Sequence, residues 1–246
     1  MRYLILSDIH SNWEALEAVL ADAAGGFDET LCCGDLVGYG GDPNRVVEWA
    51  RAAVRVVVRG NHDKACAGLE DLDWFNPIAR AAAEWTASVL TPENLDYLRS
   101  LPKGPAPLDG FQILHGSPLD EDEYLLTPAA AAMQAPYLDR EISFFGHTHY
   151  QGGFFCHRNG VRRIPQVRPG ESRAVLSLEH NAAYLINPGS AGQPRDGDPR
   201  AAYVIYDSGD RTVEYRRVVY DIAGAQAKIR AAWLPELLAE RLEVGN

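Results

Sequence analysis

Three features of the sequence predict an α/β fold with a substantially parallel beginning. Short apolar runs alternate with stretches of helical periodicity over residues 1–63. The apolar runs stop abruptly at Gly, Asp, Asn or His. At 246 residues and 46% hydrophobic content, the chain can bury a substantial core.

The elements follow in order. "YLILSD" (3–8) is a buried strand ending in polar residues, and "NWEALEAVLADAA" places Trp13, Leu16, Val19 and Leu20 at helical spacing. "ETLCCGD" (29–35) and "VRVVVRGNHD" (54–63) are the next strands, with a helix over 43–53 between them. Pro43 suits that helix's first turn, where its missing N–H is unneeded. Residues 64–109 are Ala-rich and helical until "LPKGPAPLDG" breaks them into a loop. Strands are expected at 111–116, 142–147, 152–157, 182–189, 201–207 and 212–220, then a helical tail over 221–242 divided at Pro235. The segment 157–173, with five arginines, reads as a solvated hairpin or flap.

Bulk chemistry narrows the function. No apolar run approaches the ~20 residues that span a bilayer, and the N-terminal stretch lacks a signal-peptide pattern, so no membrane partner and a cytoplasmic location are expected. Four cysteines without a CxxC pair indicate small buried residues, not a disulfide framework or a zinc ribbon. The net charge of −11 argues against polymeric nucleic acid as a partner but admits a small phosphorylated substrate. Nothing marks an oligomeric state.

Five runs end in the same chemistry: Asp8-Ile9-His10, Gly34-Asp35, Gly60-Asn61-His62-Asp63, His115-Gly116 and Gly146-His147-Thr148-His149. In open α/β sheets ligands gather beyond the carboxyl ends of the strands. Side chains two apart on a strand share a face, so Asp8 with His10, and His147 with His149, are expected to converge. Five of the seven histidines fall in these places; His157 and His180 are left as ordinary residues. Imidazole, carboxylate and carboxamide together suit Mn, Fe or Zn better than Ca or Mg.

In content and order, "DIH", "GD" at 34–35, "GNHD", His115 and "GHTH" resemble the motifs of calcineurin-like metallophosphoesterases. The resemblance implies a two-sheet mixed β-sandwich flanked by helices, as one domain over 1–246, around a dinuclear centre. It implies Asp8, His10 and His149 on one ion, Asn61, His115 and His147 on the other, and Asp35 as the bridge. The cofactors expected are two divalent ions of the Mn, Fe, Zn or Ni kind. Such a pair activates a water for in-line attack on a phosphodiester or phosphomonoester. His62 is then the second catalytic residue beside Asp35, contacting phosphate or assisting the leaving group, and Asp63 is a candidate to orient it.

The same motifs also admit dinucleoside polyphosphatase or protein phosphatase activity, or metal binding without hydrolysis. "GDLVGYGGDP" carries Gly38-Tyr39 where the protein phosphatase branch and the bacterial dinucleoside tetraphosphatases close to it usually carry Asp-Arg; this puts protein phosphatase activity in doubt and looks more like the compact bacterial phosphodiesterase-like members. Arg195, in "NPGSAGQPRDGDPR", is the expected replacement grip on phosphate. Asn12 and Tyr39, each close to an expected ligand in sequence, are further candidates for substrate contact, although Asn12 also suits a helix N-cap. "LDEDEY" (119–124) reads as a solvated helix-leading loop in preference to a segment that repels polyanions from the site.

Overall fold

The computed structural model describes residues 1–168 and 170–246; position 169, within the basic 157–173 stretch, lies outside the described residues. The chain begins β1 (Arg2–Leu6), α1 (Trp13–Ala23), β2 (Glu29–Cys32), α2 (Pro43–Ala53), β3 (Val56–Val57) and α3 (Asn61–Cys66). Helices α4 (Pro77–Val89) and α5 (Pro92–Ser100) follow, then β4 (Ala106–Pro107), β5 (Phe111–Ile113), α6 (Pro128–Gln134) and β6 (Ile142–Phe144). The remainder is β7 (Gly152–His157), β8 (Gly160–Ile164), β9 (Arg173–Ser177), β10 (Ala183–Asn187), β11 (Ala201–Asp207), β12 (Thr212–Val218), α7 (Ile222–Ala231) and α8 (Glu236–Val244).

Two six-stranded mixed sheets result, ordered β3-β2-β1-β11-β12-β9 and β4-β5-β6-β10-β7-β8. The parallel beginning holds, since β1, β2 and β3 pair parallel, and β5, β6 and β10 do the same in the second sheet. Alternation along β1 shows the layering. Tyr3 and Ile5 pack with Phe111, Phe144 and Ile186 of the other sheet, while Leu4 and Leu6 pack with Leu16, Val19 and Val47 of the helices. On the far side Phe145, Phe154 and Leu185 meet Leu125 and Ala131 near α6. Each fully buried side chain of this size contributes ~1.5–3 kcal/mol. Tyr215 crosses the sandwich, its hydroxyl donating to the Gly152 carbonyl at 2.7 Å.

Two expectations change. The strand expected over 54–63 is only two residues long, and Asn61-His62-Asp63 opens a helix instead. Asp63 drives the switch by accepting the N–H of Gly60 through Oδ2 at 3.0 Å, half of a capping box. The 157–173 stretch does form part of the antiparallel β7–β8 hairpin, but it is not solvated throughout, because Ile164 and Val167 enter the sandwich core.

One buried ion pair ties the loop after β10 to β12. Arg217 and Asp196 have side chains 2% and 1% exposed and are directly bonded, and Arg217 Nε also donates to Gln151 Oε1 at 3.0 Å. Removing one partner strands a buried charge, so Arg217→Ala is expected to lower unfolding stability by ~3–5 kcal/mol. A urea midpoint within a few tenths molar of wild type would contradict this.

Candidate metal centre

The five loops that follow β1, β2, β3, β5 and β6 meet at one edge of the sandwich. Two groups of buried donors lie there: Asp8, His10, Asp35 and His149, and Asp35, His115 and His147, the donor atoms in each lying within 4.8 Å of one another. Asp35 belongs to both. Its Oδ2 is 3.6 Å from His10 Nε2 and 3.5 Å from His115 Nε2. Asn61 joins the second group, its Oδ1 being 3.2 Å from His115 Nε2.

The convergence does not come from strand alternation, as the spacing of the histidine pair led one to expect. Strand β6 ends at Phe144, and His147 and His149 lie beyond it with φ of 65° and 60°. Asp8, His10, Ser11, Asp35 and Tyr39 are left-handed too, so seven of the ten non-glycine residues with positive φ among the described residues lie in these loops. Each such residue costs on the order of 1–3 kcal/mol, tolerable only where the surroundings dictate the conformation.

Each histidine is turned by a backbone carbonyl. Nδ1 of His10, His115 and His149 faces the carbonyl oxygens of Val37 (2.9 Å), Cys33 (2.7 Å) and Gln193 (2.6 Å). His147 is reversed, its Nε2 facing the Asp122 carbonyl at 3.0 Å. A carbonyl can only accept, so these nitrogens carry the proton, and in a neutral ring the other nitrogen has a lone pair. Burial pushes the His10 and His149 rings well below the usual range for histidine, with the Arg195 charge the second influence on His149. Their Nε2 atoms are nevertheless only 3.1 Å apart, and His149 Nε2 is 3.3 Å from Asp8 Oδ1. Two lone pairs and two carboxylates facing inward repel one another unless a cation lies between them, so the donor set fits a divalent ion.

The second group differs: Asp35 holds His115 in its cationic form, so a divalent ion there would take the place of the His115 proton. Burial opposes charge on both Asp35 and His115, yet the Asp35 carboxylate holds the His115 ring up at about 9. The rings of His115, His62 and His10 in turn outweigh burial and hold Asp35 well below the usual carboxylate range. Asp8 is pushed up to about 7, chiefly by burial.

The remaining expected residues divide. His62 lies beside the donors, its ring centroid 5.0 Å from His10 and 4.3 Å from Tyr39, and burial pushes it down to about 4. Asp63 does not orient it. Its carboxylate instead accepts N–H groups from Asp35, Leu36, Val37 and Gly60. Asn12 is a correction as well: Oδ1 caps α1 on the Ala15 N–H, and Nδ2 donates to the Gly192 carbonyl at 2.7 Å, so both ends of the buried carboxamide are tied to the fold. Arg195 lies over Tyr39, its guanidinium carbon 5.6 Å from the ring centroid, and its Nε is buried without a partner. Asp196 and Asp198 bond to Arg217 and Arg200, and neither bonds to Arg195.

Glycine is required at two places. A Cβ on Gly60 would stand 2.1 Å from Asp35 Oδ1, and one on Gly38 (φ 91°) would stand 2.6 Å from His62 Nδ1. The second contact makes the Gly38-Tyr39 wording a packing condition for His62.

Comparison with known proteins agrees with this geometry. Residues 1–211 match the calcineurin-like phosphoesterase superfamily domain. The chain belongs to that family. It is 41% identical to a metallophosphoesterase of Sphaerobacter thermophilus whose crystal structure superposes with a TM-score of 0.86, covering 100% of this chain and 99% of that one. It is 39% identical to an uncharacterised protein of Methanocaldococcus jannaschii, covering 98% of this chain and 97% of that one. A hypothetical protein of Pyrococcus horikoshii, 20% identical, shares the fold with a TM-score of 0.78 over 100% of this chain and 98% of that one. The two mixed sheets flanked by helices are the metallophosphoesterase fold, and phosphoester hydrolysis is the family's general chemistry.

Sequence reasoning passed over the carbonyls of Val37, Cys33, Asp122 and Gln193, which carry no residue-type signal. It also placed "LDEDEY" in solvent, whereas Asp122 and Tyr124 stand at the site, the Tyr124 ring stacked on His147 at 3.8 Å.

Metal analysis after dialysis against Mn²⁺ tests the shared carboxylate. The expected content is two ions per chain for wild type, about one for His115→Ala, and less than one for Asp35→Ala, because Asp35 serves both groups. Equal losses from Asp35→Ala and His115→Ala would contradict the shared role.

Proposed function

We propose that the chain is a hydrolase of phosphodiesters or phosphomonoesters that works with two divalent ions. Asp8, His10, Asp35 and His149 would hold one ion, and Asp35, Asn61, His115 and His147 the other. The observation that carries this reading is the convergence of buried donor atoms on two groups sharing Asp35, with each donor histidine turned inward by a backbone carbonyl. When bound, such an ion pair supplies an activated water and neutralises charge that builds on oxygen.

The chain's own residues do the rest. Arg195 presents a guanidinium beside Tyr39 and is the grip for a non-bridging phosphate oxygen. His62 offers a ring N–H to a phosphate oxygen or to the departing oxygen. Tyr39 and Phe75 pack the His62 ring on two sides, at centroid distances of 4.3 and 5.0 Å, and hold its orientation. Asp63 holds the loops of Asp35 and Gly60 together, so the bridging carboxylate keeps its place. Four buried free cysteines among the described residues suit a reducing compartment such as the cytoplasm. Among the described residues no helix is long and apolar enough to cross a membrane.

Mn²⁺-loaded protein is expected to hydrolyse a generic aryl phosphodiester or monoester. Asp35→Ala should abolish turnover, and His62→Ala should lower kcat ~10²–10⁴-fold. Arg195→Ala should raise KM about tenfold or more, as the loss of one charge-assisted hydrogen bond predicts. Metal-replete wild-type protein inert toward a broad phosphoester panel would overturn the enzymatic reading.

A further inference from the structure

Beside the donors opens a cavity of about 400 Å³ that the chemistry above does not use in full. Its lining includes Asn61, His62 and His147 together with the aromatic residues Trp74, Phe75 and Tyr124. Trp74 is 89% exposed and Tyr124 48% exposed, so two large rings stand open to solvent at the mouth of a polar centre. Neither is explained by core packing. Tyr124 is already stacked on His147, and Phe75 stands edge-on to His62 at 5.0 Å, so the aromatic surface runs continuously to the reacting groups.

The charge of this wall is as informative as its rings. No lysine or arginine lines the cavity, whereas Glu70 and Asp122 do. Lys64 neutralises these acids from behind, its Nζ 3.1 Å from Glu70 and 2.6 Å from Asp122, but it is itself buried and does not line the space. Arg195 lies over Tyr39, on the side of the donors. Beyond the donors and Arg195, a polyphosphate chain extending into this cavity would meet carboxylates and no lysine or arginine among the lining residues. A flat, uncharged ring would meet aromatic faces.

Resting on the phosphoesterase reading, we infer that the cavity receives the leaving group of the substrate, and that this group carries an uncharged planar ring, a nucleobase or an aryl group. Trp74 and Tyr124 are then specificity-determining residues that stack on the ring. The volume suits one such ring system. The inference disfavours a dinucleoside polyphosphate, whose chain would have to cross the acidic wall.

The test uses metal-loaded full-length protein and three methyl phosphodiesters whose second ester group is a nucleoside, an aryl group or a simple alkyl chain, with a dinucleoside tetraphosphate as a fourth substrate. Trp74→Ala is expected to lower kcat/KM for the two ring-bearing esters about tenfold more than for the alkyl ester, chiefly through KM, and Trp74→Phe should restore most of the loss. Trp74 is largely exposed, so its replacement leaves the core intact. The nucleoside and aryl arms distinguish the two sources of ring by the larger Trp74 effect. Equal losses for ring-bearing and alkyl esters, or turnover of the tetraphosphate above that of every diester, would overturn the inference. A second measurement needs no turnover: titration with a nucleoside monophosphate should quench tryptophan fluorescence in wild type and much less in Trp74→Phe. Quenching without hydrolysis of any ester would sink the phosphoesterase reading and keep the ring site, and hydrolysis without Trp74-dependent quenching would do the reverse.

Discussion

The Asp63 carboxylate is the constraint on which the centre depends. It accepts four backbone N–H groups, from Asp35, Leu36 and Val37 in one loop and from Gly60 in another. A buried carboxylate is costly unless it is surrounded by donors. Here burial still pushes Asp63 up to about 7, while the N–H groups pull the other way. The bonds position Asp35, whose Oδ1 then accepts the His62 N–H at 2.9 Å. They also set the Val37 carbonyl that turns His10. One side chain that supplies no donor atom to either group therefore decides the place of the carboxylate both groups share.

Around that hub the fold accumulates cost. Asp8, Asp35 and Asp63 are buried within one edge of the sandwich, and most of the left-handed non-glycine backbone of the described residues lies beside them. The loop after β10 braces the arrangement, with Ser190 Oγ donating to the Asp8 carbonyl at 2.7 Å and Gly192 N–H donating to the same carbonyl at 3.0 Å. The two cores on either side of the first sheet supply the stability that such a site draws on. Bound cations would relieve the inward-facing lone pairs and carboxylates, which couples metal uptake to the stability of these loops.

Much of the frame was legible in the sequence. Period-2 and helical patterning located β7, β12 and the α7–α8 division at Pro235, because those segments have one more buried and one more solvated face, whereas β11 reads as an apolar run buried on both faces. The strand over 54–63 stops at Val57 although "VRVVV" has strand propensity, because Asp63 caps the helix at Gly60 and ties it to the Asp35 loop. His147 and His149 show the limit clearly. Their spacing of two matched strand alternation, but the chain leaves β6 before reaching them, and left-handed turns aim the rings. Asn12 was ambiguous between capping and substrate contact, and only the Gly192 carbonyl decided it.

What the sequence determined by itself was the set of donors and their order. Asp, His and Asn after successive apolar runs are chemically restrictive, and local patterning places each run at a strand's carboxyl end. Tertiary structure alone decided which ring nitrogen each histidine offers and which aromatic and acidic residues wall the adjoining cavity. The reason is reach along the chain: His149 is turned by a carbonyl 44 residues away and His115 by one 82 residues away, and such contacts leave no trace in local residue type.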